Sequence, residues 1–340
     1  MQQKSPQPTV QQRISAYTIT RQIIPSAILA PSAHNTQPWK FKALSDTLDI
    51  FIDWSRHLTV SDPTLRQLYV SLGCATTNAI NAAKYWNKTA AIQYFPEGNG
   101  KDQPVVRLNF TPANKPMDHN QAEADIFAAI VQRHTNRSFF DEKTLTDEET
   151  TILNQSLDHT ITTFISDRDK LETIAQLSHE GTFSTLSRPA FKEELSHWVR
   201  NSWTYQHDGM PGYAMGIPAP LSLVAPMMVR IAPIHIQEAS KTKQQVTSAS
   251  AVAIFTTTTD TPTDHIIAGQ QLQQVWLNAT AAGLAAMPVV AAIEAGPDYR
   301  NKLRDLVPTK RYPQSMLRIG HSSKTNLRAT PRRTMEECLR

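Results

Sequence analysis

One short segment of the sequence concentrates polar side chains that suit ligand binding. Residues 30–41 read APSAHNTQPWKF and place Ser32, His34 and Asn35 between two prolines, directly before an aromatic run. Polar side chains at this density can hold a polar ligand together with the backbone amides. The same residue types also favour a helix-to-strand turn in which Asn and Thr satisfy the backbone. The residues alone leave both interpretations open.

A second segment combines two guanidinium groups with a hydroxyl. Arg133, His134, Thr135, Asn136 and Arg137 follow a helical pattern and precede a polar linker. Arginine donates paired, charged hydrogen bonds and threonine adds another donor, which is the chemistry that a phosphate needs. The alternative is a solvated helix end, where cations face the negative end of the helix dipole.

A third segment places cations late in the sequence. Thr330, Pro331, Arg332 and Arg333 are followed by residues 335–337, which read MEE. The two arginines can bind an anion. The alternative is a basic tail that binds nothing, or that binds nucleic acid weakly.

These segments resemble the motifs of one family. Residues 32–39, SAHNTQPW, resemble the S-x-x-N-x-Q-P-W motif of the nitroreductases, which bind flavin mononucleotide (FMN). In that family two subunits build each FMN site, and this loop lies over the flavin from the partner subunit. The resemblance implies FMN-edge contacts from Pro31, Ser32 and Asn35. It implies only a backbone contact from Ala33, which stands where a serine is common.

The arginine-rich segment is similar to the R-[RH]-[ST]-x-[RK] signature of the family, which holds the FMN phosphate and the ring edge. The resemblance implies FMN contacts from Arg133, His134, Thr135 and Arg137. Arg133 and Thr135 are the expected phosphate ligands. Arg137 is the expected cation that stabilises the reduced, anionic ring.

The late basic segment resembles the family's closing K-P-R-R-x-L-E-E motif. Because Thr330 stands where a lysine is frequent, the resemblance implies a phosphate contact from Arg332, with help from Arg333.

Residues 268–288 are similar to a family helix and turn whose backbone lies near the flavin N5 edge. The resemblance implies backbone contacts at Pro288, Val289 and Val290. Many members carry Glu-Gly after this proline, whereas this chain has Val-Val-Ala, so the role of that Glu is not carried over. Without the family, the segment is a buried helix and its turn.

The distribution of the motifs divides the chain at about residue 120. Residues 1–120 contain the first motif without the arginine signature, and residues 121–340 contain the arginine motifs without the first. This pattern is similar to the Acg-like nitroreductases, in which two degenerate halves of one chain imitate the family homodimer. The resemblance implies an α+β fold with one FMN per chain, and it favours a monomer.

The resemblance implies an oxidoreductase that accepts hydride from NAD(P)H at flavin N5 and reduces a nitroaromatic, a quinone or a similar small molecule. Because the flavin carries this chemistry, no catalytic side chain is expected. The alternative is a stress protein that stores FMN under a lid. Residues 205–220 contain three glycines and three prolines and are the expected lid. The same binding residues serve both functions.

The hydrophobic pattern predicts the elements that position these segments. Asp62 is the expected N-cap of the second helix, with Pro63 at its first position. The predicted helices are 13–30, kinked at Pro25, then 63–86, 122–133, 146–157, 171–186, 189–203 and 266–284. The predicted strands are 39–44, 48–54, 91–95, 105–110, 160–165, 250–257 and 316–319.

The composition excludes several other classes of protein. With 340 residues, 40 % hydrophobic and 19 % charged, the chain predicts a globular protein of about two domains. A net charge of +4, scattered along the sequence, does not suit a nucleic-acid-binding stripe.

Cysteine, histidine and hydropathy patterns exclude further sites. Cys74 and Cys338 form no CxxC, and no two of the eleven histidines have the H-x-x-x-H spacing, so no metal site is expected. With no signal-peptide pattern and no run of about 18 apolar residues, the expectation is a cytoplasmic protein that does not span a membrane.

Overall fold

Two four-stranded antiparallel sheets form the β part of the fold. The computed structural model describes residues 19–113, 121–307, 310–325 and 327–340. The strands are β1 (Trp39–Leu44), β2 (Thr47–Ile52), β3 (Lys88–Tyr94), β4 (Val106–Pro112), β5 (Thr162–Ile165), β6 (Val199–Arg200), β7 (Met210–Pro211), β8 (Ala251–Thr257), β9 (Ala285–Pro288) and β10 (Tyr312–Gly320). One sheet has the order β1-β2-β4-β3 and the other β5-β8-β10-β9, while β6 and β7 form a small parallel pair.

Helices surround and join the two sheets. A π-helical turn, Ile19–Ile23, leads into the first α-helix. The α-helices are α1 (Ile24–Ala27), α2 (Arg66–Tyr85), α3 (Gln121–Gln132), α4 (Asp147–Leu153), α5 (Arg168–Leu186), α6 (Pro189–Trp198), α7 (Gly212–Met215), α8 (Ala225–Ile231), α9 (His235–Thr247), α10 (Pro262–Ala281), α11 (Ala291–Glu294), α12 (Pro297–Arg304) and α13 (Met335–Cys338). The α+β class that the sequence predicts is confirmed.

The two sheets share one connectivity. In each, two strands come before a long helix and two after it, and the last strand lies between the second and the third. The long helices are α2 in the first sheet and α10 in the second. Between β5 and β8, the second sheet carries an additional segment, 166–250, which includes α5 to α9.

One apolar cluster joins the two sheets. Helices α2 and α10 pack along each other, and their side chains share this cluster with strands of both sheets. Trp39 of β1, Leu72 of α2, Trp276 of α10 and Leu317 of β10 are all buried in it. Because each sheet covers one side of the helix pair, the helices are shielded from water on their apolar faces.

The sequence predicts most long elements but misplaces several of their ends. The helix predicted over 63–86 begins at Arg66, because Leu65 adopts a left-handed backbone with φ of 62°. Asp62, the predicted N-cap, is therefore not the residue directly before the helix. Its Oδ2 instead accepts a hydrogen bond from the Leu68 N–H at 2.8 Å. The helix predicted over 189–203 ends at Trp198, where the chain becomes extended.

Several elements are not predicted from the sequence. They are the strands β6, β7 and β9 and the helices α7, α8, α9, α11, α12 and α13. Of the helix predicted over 13–30, residues before 19 lie outside the described part. From residue 19 onward the helix changes from π to α geometry at Ile24, directly before Pro25, and ends at Ala27. The predicted boundary region 111–120 is described only as far as residue 113.

Within residues 19–113, 121–307, 310–325 and 327–340, no helix combines the length and hydrophobicity that a membrane crossing requires. Over the same residues, no group of three His, Cys, Asp or Glu side chains is arranged to hold a metal ion.

Candidate functional site

Two adjoining cavities lie between segments that are far apart in the sequence. The first has a volume of about 600 Å³ and the second about 330 Å³. Thr135, Arg137 and Lys241 line both, so the cavities meet at these side chains. Together they are large enough for a small-molecule ligand with a ring system and a charged tail.

Arg133 lies in the wall of the first cavity with most of its hydrogen-bonding capacity unused. Its side chain is 6 % exposed, and the guanidinium carbon lies 4.4 Å from the centroid of the Trp276 ring. The Nη2 atom donates one long hydrogen bond of 3.4 Å to the Leu29 carbonyl. The Nε and Nη1 atoms have no hydrogen-bond partner among the residues that the structure describes.

Arg332 reaches the same cavity from the other end of the chain. Its Nη1 donates to the Thr330 hydroxyl at 2.7 Å and to the Pro331 carbonyl at 2.9 Å. Its Nε is enclosed and finds no partner within the described ranges. Neighbouring backbone groups thus hold the side chain in place without neutralising its charge.

No carboxylate of the described residues neutralises Arg133 or Arg332. Among the described residues, neither guanidinium has an Asp or Glu oxygen within 4.0 Å. Burial lowers the pKa of Arg133 to about 9, and the nearby charge of Arg332 adds to this effect. Burial also lowers the pKa of Arg332 to about 10. Two enclosed cations without a counter-ion form a site for an anion, because an unpaired charge in a protein interior is costly.

The remaining residues of the arginine-rich segment also line the cavities. His134 faces the first cavity, and Thr135 and Arg137 lie where the two meet. Arg137 donates a hydrogen bond of 2.9 Å to the Ala214 carbonyl, and burial lowers its pKa. Its cation is therefore held at the junction and can act on ligand atoms in either cavity.

The loop of the first motif has an unusual backbone. His34, Asn35 and Gln37 all have positive φ angles, of 50°, 56° and 52°. Left-handed backbone at residues other than glycine costs on the order of 1 kcal/mol each and is typical of functional sites. Before this turn, Pro31, Ser32 and Ala33 line the second cavity. The Ser32 hydroxyl also accepts a hydrogen bond from the Gln37 N–H at 2.9 Å.

Asn35, for which a contact with FMN is expected, lines neither cavity. Its Nδ2 donates to the Gly209 carbonyl at 2.9 Å and to the Pro331 carbonyl at 3.0 Å. Its Oδ1 accepts from Arg332 at 3.0 Å. In this structure Asn35 therefore joins three segments of the site and positions Arg332.

Only part of the turn after α10 lines a cavity. Pro288 and Val290 line the second cavity. Val289 does not line it and is buried in an apolar cluster with residues of α5 and β8, and its N–H donates to the Met316 carbonyl at 3.0 Å. This backbone donor is therefore already used within the protein.

Arg333 is engaged elsewhere, although the sequence predicts a supporting role at the phosphate. Its side chain is 4 % exposed and pairs with Asp53 at 3.0 Å. It also donates to the carbonyls of Gln37 at 3.0 Å and Trp39 at 3.2 Å. It lines neither cavity. Arg333 therefore fixes the C-terminal segment against the first motif, and Arg332 alone of the two faces the anion site.

Residues 207–216, part of the segment predicted as a lid, extend across both cavities. Met210 lines the second cavity, and Tyr213 to Gly216 line the first. Asp208 accepts hydrogen bonds from Arg56 and Arg200, each at 2.8 Å. In addition, the His207 carbonyl accepts from the Gln37 side chain at 2.8 Å.

Several residues of the site were not predicted from the sequence. Arg318 is completely buried in β10 and donates to the carbonyls of Asn136 and Ser138, both at 2.8 Å. It therefore holds the arginine-rich segment in position. An arginine within an apolar strand was the available signal. The further residues missed in the second cavity are Asp62, Gln67, Glu294 and Ser315.

The chain resembles known proteins over most of its length. No family model matches it. An uncharacterized protein of Mycobacterium tuberculosis is 28 % identical over 329 residues, which are 92 % of this chain and 90 % of that protein. The M. tuberculosis protein named "Putative NAD(P)H nitroreductase acg" is 25 % identical over 333 residues, or 94 % of this chain and 96 % of that protein.

Solved structures give more distant matches. The FMN-dependent nitroreductase NfnB from Mycobacterium smegmatis, in complex with NADPH, is 17 % identical and covers 64 % of this chain and 98 % of its own, with a TM-score of 0.41. A nitroreductase with bound FMN from Desulfitobacterium hafniense is 12 % identical, covering 61 % and 94 %, with a TM-score of 0.38. By sequence, over more than nine-tenths of its length, this chain is similar to the Acg-like nitroreductases.

Proposed function

We propose that this protein is an FMN-dependent oxidoreductase that takes hydride from NAD(P)H and reduces a nitroaromatic, a quinone or a related small molecule. The observation that carries the proposal is the pair of enclosed guanidiniums, Arg133 and Arg332, without a neutralising carboxylate among the described residues. A phosphate monoester supplies the missing charge. The relatives named as NAD(P)H nitroreductases give the proposal independent support.

The residues present fit FMN. The phosphate binds to Arg133, Thr135 and Arg332, whose two guanidiniums and one hydroxyl all line the first cavity. The ring system occupies the second cavity, whose wall includes Pro31, Ser32, Ala33, Pro288 and Val290. The volume of about 330 Å³ there is consistent with a three-ring group.

Bound FMN supplies hydride transfer through its N5 atom. The protein residues bind and orient it. Arg137, held by the Ala214 carbonyl at the junction of the cavities, places a positive charge where negative charge grows on reduction. Residues 207–216 extend across both cavities and would limit the access of water to bound FMN, which would strengthen these electrostatic interactions. Hydride transfer needs no further acid or base among the side chains named here.

We further infer that residues 1–120 and 121–340 are two degenerate halves that together imitate a homodimer. The shared connectivity of the two sheets supports this division. The first half supplies residues 31–33, and the second supplies Arg133, Thr135 and Arg332. One chain therefore contains one complete site, which favours a monomer with a small-molecule substrate and no nucleic-acid partner.

The absorbance spectrum of the purified protein tests this function. A flavin spectrum that bleaches under anaerobic conditions after addition of NADPH or NADH is the expected result. A colourless protein that does not take up added FMN contradicts the proposal.

A second candidate function is storage of FMN without turnover. It is favoured by residues 207–216, which extend across the site and are held in place by the ion pairs of Asp208 with Arg56 and Arg200. Tightly bound flavin that neither nicotinamide reduces would support storage and exclude the reductase.

A further inference from the structure

The second cavity contains buried hydrogen-bond donors that the proposed function does not use. Gln67 is 7 % exposed and Ser315 is 1 % exposed, and both line this cavity. The Gln67 Nε2 and the Ser315 Oγ have no hydrogen-bond partner among the described residues. Buried polar groups are nearly always paired, so two orphaned donors on one cavity indicate that a ligand supplies the acceptors.

Glu294 adds a third polar group to the same wall. It is the last residue of α11, which follows the turn at Pro288 to Val290, and no described residue donates a hydrogen bond to its carboxyl. Burial raises the pKa of Glu294 to about 8, and the negative charge of Asp62 contributes, while Arg66 and Arg188 oppose the shift. At neutral pH the group therefore carries a proton and acts as a donor.

The other charges of this wall are balanced. Lys241 pairs with Glu238 at 3.6 Å, which leaves Asp62 and Arg137 as opposite charges on the same cavity. The Asp62 Oδ2 accepts the Leu68 N–H at 2.8 Å, which holds it in place before α2. The three donors and this balanced wall together favour a neutral ligand that carries hydrogen-bond acceptors.

We propose that Gln67, Glu294 and Ser315 form a subsite that donates hydrogen bonds to the oxygen atoms of a neutral conjugated ring. This inference rests on the proposed function, which offers two sources of such oxygens. One is the pair of carbonyl groups on the pyrimidine ring of the flavin. The other is the nitro or quinone oxygen of the electron acceptor.

Lumichrome is the first probe, because it presents the flavin carbonyls without the ribityl phosphate. Its binding is followed by fluorescence in wild type, Gln67→Met and Ser315→Ala. Each variant removes one donor, and we expect affinity to fall by about five- to fifty-fold. Ser71→Ala is the matched control, since Ser71 lines the same cavity but its hydroxyl already donates to the Gln67 carbonyl at 2.7 Å.

Two further titrations distinguish the sources. If the flavin occupies the subsite, FMN affinity falls together with lumichrome affinity. If the acceptor occupies it, FMN affinity is unchanged, and the affinity of the FMN-loaded protein for menadione, a neutral quinone, falls. Both results support the subsite. Variants that bind lumichrome, FMN and menadione as tightly as wild type and Ser71→Ala would overturn it.

The subsite and the proposed function fail in different ways. A wild-type protein that does not bind FMN contradicts the function, while menadione and lumichrome titrations of the same protein still decide the subsite. Because both variants delete donors without partners, they are expected to melt at or above the wild-type temperature. A lower melting temperature for both would show that the donors are paired within the protein, which also overturns the inference.

Discussion

Gly73 of α2 and Gly269 of α10 face each other where the two long helices cross. A Cβ atom added at Gly73 would lie 2.1 Å from the Ile266 carbonyl oxygen, and one added at Gly269 would lie 2.1 Å from the Val70 carbonyl oxygen. The contact is reciprocal, and each helix meets the backbone of the other. Only glycine on both sides permits this approach.

Replacing either glycine by alanine is expected to destabilise the protein. In Gly73→Ala the methyl group meets backbone atoms, which cannot move aside as a flexible side chain can. We expect the free energy of unfolding to fall by about 3 kcal/mol or more, at the upper end of overpacking effects. Urea unfolding measures it. Gly100→Ala is the control, since its added methyl meets only the Gln103 side chain. Equal stability of Gly73→Ala and wild type would contradict the helix crossing.

The anion site predicts opposite effects on binding and on stability. Arg133→Met retains an apolar side chain against Trp276 but removes the uncompensated charge. We expect FMN affinity to fall by about 10- to 100-fold, while riboflavin, which lacks the phosphate, loses less than about threefold. Without ligand, the variant is expected to be about 1 kcal/mol more stable than wild type, because a buried, unpaired cation is lost.

Fluorescence titration and thermal melting of the ligand-free protein measure these two effects. Lys42→Met, on the exposed face of β1, is the charge control and should alter neither. If FMN and riboflavin lose affinity equally in Arg133→Met, the arginine does not bind the phosphate.

Glu294 predicts a dependence of stability on pH. Its pKa is raised from 4.5 to about 8 in the fold, chiefly by burial. Between these pH values the folded protein keeps a proton that the unfolded chain releases, so this group's contribution to stability falls as pH rises and levels off above about 8. Glu294→Gln removes this loss of stability, because glutamine does not ionise. The free energy of unfolding of the variant, relative to that of wild type, should therefore rise between pH 5 and pH 9, by on the order of 1 to 3 kcal/mol.

Denaturant unfolding across this pH range checks the prediction. Asp62, whose pKa is raised to about 6 chiefly by burial, acts on the Glu294 carboxyl and is present in both proteins, so its own titration largely cancels in the difference. A difference between variant and wild type that is constant with pH would show that Glu294 is ionised throughout.

The ion pairs of Asp208 predict how firmly residues 207–216 are held across the cavities. Although burial opposes it, hydrogen bonds from Arg56 and Arg200 lower the pKa of Asp208, so the carboxylate is charged at neutral pH. Asp208→Asn removes both ion pairs. We expect proteolysis within 205–220 and FMN release to become about five- to tenfold faster, because pairs in this partly buried setting contribute about 1 kcal/mol or more.

Limited proteolysis and stopped-flow release of FMN measure these rates. Glu172→Gln is the control, since it breaks a more exposed pair with Lys243 on another surface. If the rates of proteolysis and of FMN release are unchanged in Asp208→Asn, residues 207–216 are not held in place through this residue.

The sequence predicts the regular parts of the fold well. The strands β1 and β2 flank the Ser45-Asp46 turn, and both lie within two residues of their predicted ends, although only β1 begins with alternating burial and β2 is buried after its first residue. Helices α11 and α12 were missed because they have four and eight residues, too few to establish a helical period.

The site shows a different limit. Arg332 and Arg333 are adjacent and chemically identical, and the sequence assigned both to the phosphate. Tertiary structure separates them, since Arg333 pairs with Asp53, whereas Arg332 meets no carboxylate among the described residues. Which cation is neutralised depends on a residue 280 positions away, and no local pattern contains that information.

The anion site draws on the chain at three widely spaced places, near residues 31–35, 133–137 and 330–332. During synthesis on the ribosome, Arg133 is therefore available long before Arg332. A chain that stops before Pro331 has every strand of both sheets but only one of the two cations, and it also lacks the Pro331 carbonyl that holds Asn35. If FMN binds as proposed, its uptake therefore follows the synthesis of every strand and cannot guide the formation of the sheets during translation.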